Sequence, residues 1–205
     1  LDPARTPHQT AADLRACLEA TGCPPEDLVG AALVSSNPRM TEPARQVLAA
    51  LAPDVAIMGQ ELRSDLSLSY DQPDQFGQDR LAAVEGARRL RGAPVIVITC
   101  GTCLTAQALT DEDTVLAGGI APGLSVAVAG LEQAVPHLSA AGHAACQHIL
   151  DGAPVPATAR STEESLVAGL TAALGGAVQV MASALRQVVP TSVPLLLTGA
   201  AADLI

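Results

Sequence analysis

The residues best equipped for chemistry lie between positions 70 and 80, which read Y-D-Q-P-D-Q-F-G-Q-D-R and hold the chain's single tyrosine and single phenylalanine. Asp79 and Arg80 follow Gly77 and precede a helix-like run, so a carboxylate and a guanidinium can share one helix N-terminus. A base and an anion-orienting group are both useful there. The same residues also read as a turn punctuated by Pro73 and Gly77, with Asp79 capping a helix that begins near Leu81. Spacing alone leaves both readings open.

Further candidates are spread along the chain. Gly101-Thr102 follows an apolar β-branched run, where backbone N–H groups and a hydroxyl can cradle a phosphate without a basic patch. Gly118-Gly119-x-x-Pro122-Gly123 reads as a second glycine-rich turn and Thr198-Gly199 as a third, each also explicable as plain punctuation. Cys100 and Cys103 form C-x-x-C, open to a redox or metal role, although the residues after it look extended rather than helical. His143, Cys146 and His148 do not match common zinc spacing and read better as helix-surface residues. Arg160, Ser161 and Thr162 offer a cation and hydroxyls to a substrate, or a helix cap with Glu164 in the first turn.

Composition narrows the partners. The chain has 205 residues, enough for one large domain or two small ones. A net charge of −10 and an aromatic content of 1% argue against nucleic acid, which wants clustered cations and stacking platforms. Five cysteines without regular spacing, and no leader-like start, read as a reduced cytoplasmic protein. The apolar stretches 178–185 and 194–197 fall short of the ~20 residues needed to span a bilayer, so no membrane partner is expected. Both ends, residues 1–4 and 202–205, read as interrupted.

The elements that must position these residues follow an α/β rhythm. Periodicity predicts a helix over 10–21 with Thr6 or Thr10 as cap, a strand over 28–36, a helix over 42–51 and a short parallel strand over 55–58. A helix over 81–91 presents Leu81, Val84, Ala87 and Leu90 on one face. Residues 94–98 form the strongest strand, buried on both faces, and 104–109 with 114–117 make a hairpin about an acidic turn at 110–113. Helical, alanine-rich sequence occupies 124–150. A long helix follows over 163–189, whose Gly169, Gly175 and Gly176 suggest close packing against another helix or a partner subunit. A last buried strand covers 194–199.

Taken in order, Tyr70-x-x-Pro73-x-x-x-Gly77-x-Asp79-Arg80, Gly101-Thr102 after a strand, Gly118-Gly119-Ile120-x-Pro122-Gly123, Ser161-Thr162 opening a helix, and Thr198-Gly199 resemble the type III pantothenate kinases. The resemblance runs through most of the chain and implies an actin-like fold of two ribonuclease H-like subdomains, here 1–91 and 92–205, with N-terminal strands missing. It implies transfer of the ATP γ-phosphate to pantothenate in the first step of coenzyme A synthesis, in a homodimer, with Mg²⁺ on the nucleotide and a monovalent cation, K⁺ or NH₄⁺. Asp79 then matches the general base, and Tyr70, Gly77, Gln78, Arg80 and Thr162 match substrate-binding positions. Gly101, Thr102, Gly118, Gly119, Thr198 and Gly199 match the ATP-binding side.

The chain departs from the family pattern at three places. Thr99 stands where the family has a cation-site Asp, Ala200 replaces a second glycine, and the Asp-x-Gly-Asn-Thr phosphate motif does not occur. These departures define an alternative: a catalytically impaired relative that acts as a nucleotide- or protein-binding module.

Overall fold

The β-branched run expected to form the strongest strand becomes Val95–Cys100, and Val95, Ile96, Val97 and Ile98 are all buried. The computed structural model describes residues 6–204. The stretch 1–4, read above as an interrupted beginning, lies outside the described residues. The chain divides into two compact units, Leu1–Asp65 with Gln75–Ala82, and Leu66–Asp74 with Ala83–Ile205.

In the first unit α1 (Pro7–Ala20) opens on a reciprocal cap: Thr6 Oγ1 accepts from the Gln9 N–H at 3.3 Å, and Gln9 Oε1 accepts from the Thr6 N–H at 2.9 Å. β1 (Ala31–Leu33) pairs in parallel with β2 (Val55–Ile57), flanking α2 (Pro38–Ala49). The strand expected over 28–36 shortens to three residues because a strand persists only while it has a partner, and β2 is no longer. α2 begins earlier than expected. Asn37 caps it by accepting from the Arg39 N–H at 3.1 Å, and Pro38 fits the first helical position, where no N–H is needed.

The second unit is built on a five-stranded sheet. Its strands are β3 (Ser67–Ser69), β4 (Val95–Cys100), β5 (Cys103–Leu109), β6 (Thr114–Pro122) and β7 (Leu195–Thr198), in the order β3-β6-β5-β4-β7. β5 is antiparallel to both β4 and β6, whereas β3 runs parallel to β6 and β7 parallel to β4. α4 (Leu124–Ala134), α5 (Ser139–Leu150) and α6 (Thr162–Leu185) bury Val128, Ile149, Val167, Leu170 and Leu174 in one cluster with Ile96, Ile98, Leu104 and Ala106. Each such Val, Leu or Ile side chain contributes about 1.5–3 kcal/mol of transfer free energy. α3 (Gln78–Arg91) spans the division of the chain, with its first turn in the first unit and the remainder in the second.

Several expectations are corrected. Gly118 and Gly119 do not form a turn but lie inside β6, where the register shifts between Thr105 and Gln107. A Cβ at Gly118 would fall 2.7 Å from the Ala106 carbonyl oxygen, so this bulge admits only glycine without rearrangement. The helical run 124–150 is broken by Pro136, which cannot donate the N–H a continuous helix needs. The buried strand expected over 194–199 is the edge strand β7, with Thr198 exposed. Leu90 leaves the buried face of α3 and is 76% exposed.

α6 ends at Leu185 rather than 189, and Arg186, its C-cap, donates to the Val193 carbonyl at 3.2 Å. Its 24 residues are long and apolar enough to cross a bilayer by length and composition, which the shorter apolar stretches concealed, yet one face is buried against the sheet. Gly169 and Gly176 have no neighbour within 4 Å of a Cβ position, so among the described residues no other helix packs against them.

Candidate active site

The first turn of α3 is organised by Gly77. Its carbonyl accepts from the N–H groups of Arg80 and Leu81, both at 3.1 Å, which starts the helix one residue before Gln78. Asp79 therefore lies in the first turn rather than at the cap, correcting the expected start near Leu81. Its side chain folds back over Gly77: a Cβ there would meet Asp79 Oδ1 at 2.5 Å and Arg80 Cδ at 3.6 Å. The carboxylate and the guanidinium stem thus share the space that the glycine leaves open, and the unpaired N–H groups of the helix end favour negative charge there.

Arg80 is 6% exposed, and its guanidinium carbon stands 4.3 Å from the centroid of the Phe76 ring. Nε and Nη2 are buried without hydrogen-bond partners. A cation over an aromatic face gains some stabilisation, but buried N–H donors left unmatched cost about 1–3 kcal/mol. Such a group is complementary to a planar anion that can accept both bonds. Phe76 had no role in the sequence reading. Its signal was its position four residues before Arg80.

Gln78 reaches across the first unit to Gly59, where a Cβ would come within 2.9 Å of its Oε1. Both residues line a cavity of about 310 Å³ with Ser35, Thr41, Met58 and Gln60. Tyr70 follows β3 in the second unit and is 38% exposed.

The second unit gathers most of its glycine and threonine candidates at one end of the sheet. Because β4, β6 and β7 run in the same direction, Gly101-Thr102, Gly123 and Thr198-Gly199 all emerge at that end. The Gly123 N–H donates to the Thr102 carbonyl at 2.9 Å, and the Ala201 N–H to the Cys100 carbonyl at 3.0 Å. Gly199 has φ +100°, and a Cβ there would lie 2.6 Å from that Cys100 oxygen. Thr99 pairs with both Thr105 and Thr198, and its Oγ1 is buried without a partner. Gly118 and Gly119 stand apart within β6, where a Cβ at Gly119 would touch Met181.

Ser161, not Thr162, caps α6 by accepting from the Glu164 N–H at 3.1 Å, which leaves Thr162 exposed at the first helical position. The cysteines are free, and among the described residues no group of three or more His, Cys, Asp or Glu could hold a metal ion. Burial pushes the Cys100 thiol up, the reverse of what a redox nucleophile needs. A thiol-reactive disulfide is therefore expected to modify the exposed Cys17, Cys23 and Cys103 rapidly in the folded protein and Cys100 only after unfolding. Mass mapping of the labelled peptides checks this, and fast labelling of Cys100 contradicts it.

Comparison with known proteins converges on one family. The type III pantothenate kinase family model matches residues 2–184. A type III pantothenate kinase of Halorhodospira halophila is 32% identical over 201 residues, covering 88% of this chain and 74% of the relative. That of Janthinobacterium sp. strain Marseille is 34% identical over 138 residues, covering 66% of this chain and 50% of the relative. That of Thermomicrobium roseum is 27% identical over 202 residues, covering 98% of this chain and 75% of the relative. With the ordered glycine, aspartate and arginine positions described above, these matches show that the chain belongs to the type III pantothenate kinase family.

Proposed function

We propose that this chain transfers the γ-phosphoryl group of ATP to the primary hydroxyl of pantothenate, opening coenzyme A synthesis. The observation that carries the reading is Arg80, buried with two unmatched nitrogens beside the Asp79 carboxylate over Gly77. Arg80 offers its planar fork to the pantothenate carboxylate. Asp79 accepts the hydroxyl proton as that oxygen bonds to the γ-phosphorus and the bond to ADP breaks. Gly77, Gln78, Tyr70 and Thr162 complete the substrate side, and Gly101, Thr102, Gly118, Gly119, Thr198 and Gly199 the nucleotide side. Mg²⁺ accompanies ATP and neutralises phosphate charge.

On the same proposal the chain folds as an actin-like pair of ribonuclease H-like subdomains, 1–91 and 92–205, and works in the cytoplasm. Homodimerisation is supported by the outer side of α6, where Gly169 and Gly176 face open space and Val180 is 70% exposed. A monovalent cation fits this chain poorly, because Thr99 supplies a buried neutral hydroxyl where a charge-compensated site wants a carboxylate. Thr99 also favours the second reading, a relative that binds nucleotide without turnover.

Pantothenate-dependent release of ADP, measured in buffers of K⁺, NH₄⁺ and Na⁺, decides between them. Turnover that is similar in all three cations is the expected result, and Thr99→Asp should make it cation-dependent. Saturable ATP binding without ADP release in any buffer would replace the kinase reading with the binding-module reading.

A further inference from the structure

Among the described residues, Asp113 is the single non-glycine residue with positive φ, at 56°. It closes the turn between β5 and β6, a left-handed position that Asp and Asn tolerate better than most side chains. The turn does not need its carboxylate. Thr110 already closes the loop: its N–H donates to the Thr114 carbonyl at 3.0 Å, and its Oγ1 accepts from the Glu112 and Thr114 N–H groups, both at 3.3 Å. The Asp113 N–H donates to the Thr110 carbonyl at 3.2 Å.

The two remaining groups of Asp113 point to other parts of the second unit. Its carbonyl accepts from the Ser67 N–H at 3.0 Å, at the start of β3. Its Oδ2 lies 2.5 Å from Arg88 Nη2 on α3. Glu85, one turn back on α3, faces the same guanidinium at 4.0 Å. β3 leads directly into Tyr70, and Arg88 stands on the helix whose first turn carries Asp79 and Arg80. The two chain segments that Asp113 holds are therefore the outgoing and returning roots of the 70–80 loop.

We propose that the Asp113 carboxylate is a positioning group for that loop, fixing its returning root through Arg88 while the backbone carbonyl of the same residue holds the outgoing root through the Ser67 amide. The inference rests on the reading of residues 70–80 as the pantothenate site. The carboxylate adds to the hairpin a charge that the turn itself does not use, and directs it to the helix bearing the base. Arg88 and Asp113 are partly exposed, at 29% and 42% of their side chains, so the expected effect is modest rather than all-or-none.

Asp113→Asn keeps the left-handed backbone and removes the charge, Arg88→Met removes the other partner, and Arg88→Lys keeps a cation on the same stem. For Asp113→Asn and Arg88→Met the expected result is a rise of about two- to fivefold in KM for pantothenate with KM for ATP unchanged, and the double variant no worse than either single one. Arg88→Lys should recover part of the loss. Amide hydrogen exchange should accelerate within 70–80 and stay constant in α6. Unchanged kinetics and exchange in Asp113→Asn overturn the proposal. So does an equal loss for both substrates with faster exchange throughout α6, which marks general destabilisation. If the unaltered protein turns over no pantothenate, the substrate reading fails separately. Exchange then decides alone: acceleration confined to 70–80 supports the positioning role, and its absence overturns it.

Discussion

Replacing Asp79 by Asn is expected to lower kcat by about 10²–10⁴-fold, the loss typical of a removed general base. Asn has nearly the same shape, so it can occupy the space over Gly77 that the carboxylate now fills, 2.5 Å from where a glycine Cβ would stand. What it lacks is the ability to take a proton from the attacking hydroxyl. Loss of a negative charge in the first turn of α3 removes at most about 1 kcal/mol of helix-dipole interaction, so the variant should fold. KM for ATP should change little. Steady-state kinetics with calorimetric ATP binding makes the test, and an undiminished kcat removes Asp79 from proton transfer.

The second large effect is expected at Gly123, where an added methyl has nowhere to go. Its Cβ would stand 2.6 Å from the Thr102 carbonyl oxygen and 2.9 Å from the Thr102 carbonyl carbon, and closer still to the Gly101 oxygen. These are backbone atoms, so no rotamer relieves the clash. Gly123→Ala must push the 101–102 tip away or shift the start of α4, breaking the 2.9 Å bond from the Gly123 N–H to Thr102. Overpacking of this kind costs about 1–3 kcal/mol, and ATP binding should weaken by at least tenfold if the tip holds phosphate. Gly130→Ala is the control. It lies in the same helix with nothing within 4 Å and should gain up to about 1 kcal/mol of helix propensity. Chemical denaturation and ATP titration compare the pair, and equal behaviour contradicts the steric argument.

Legibility in the sequence followed the physical origin of each element. The run at Val95–Cys100 announced itself because burial on both faces needs uninterrupted β-branched residues, and the β5–β6 hairpin followed from its acidic turn. Strand β3 went unread because Ser67-Leu68-Ser69 sets one apolar residue between two serines, whereas the equally short β2 is marked by the β-branched Val55 and Ile57. The role of Gly118 was hidden for a different reason: a glycine required by a bulge and one required by a turn have the same letter, and only the Ala106 carbonyl across the sheet distinguishes them. At the site, the residue types at 77, 79 and 80 were legible in order. That Gly77 makes room for both neighbours, and that Phe76 lies under Arg80, depends on side-chain directions that spacing does not encode.

The unmatched guanidinium over Phe76 also has a meaning for the lifetime of the folded molecule. A chain that keeps two guanidinium nitrogens out of water without hydrogen-bond partners holds its empty state at a higher free energy than an apolar residue there would. Any acid that completes those bonds binds the native form alone and draws the folding equilibrium toward it. On the reading proposed here, the persistence of the folded protein is coupled to the supply of its own substrate: scarcity of the acid exposes the chain to unfolding and abundance protects it.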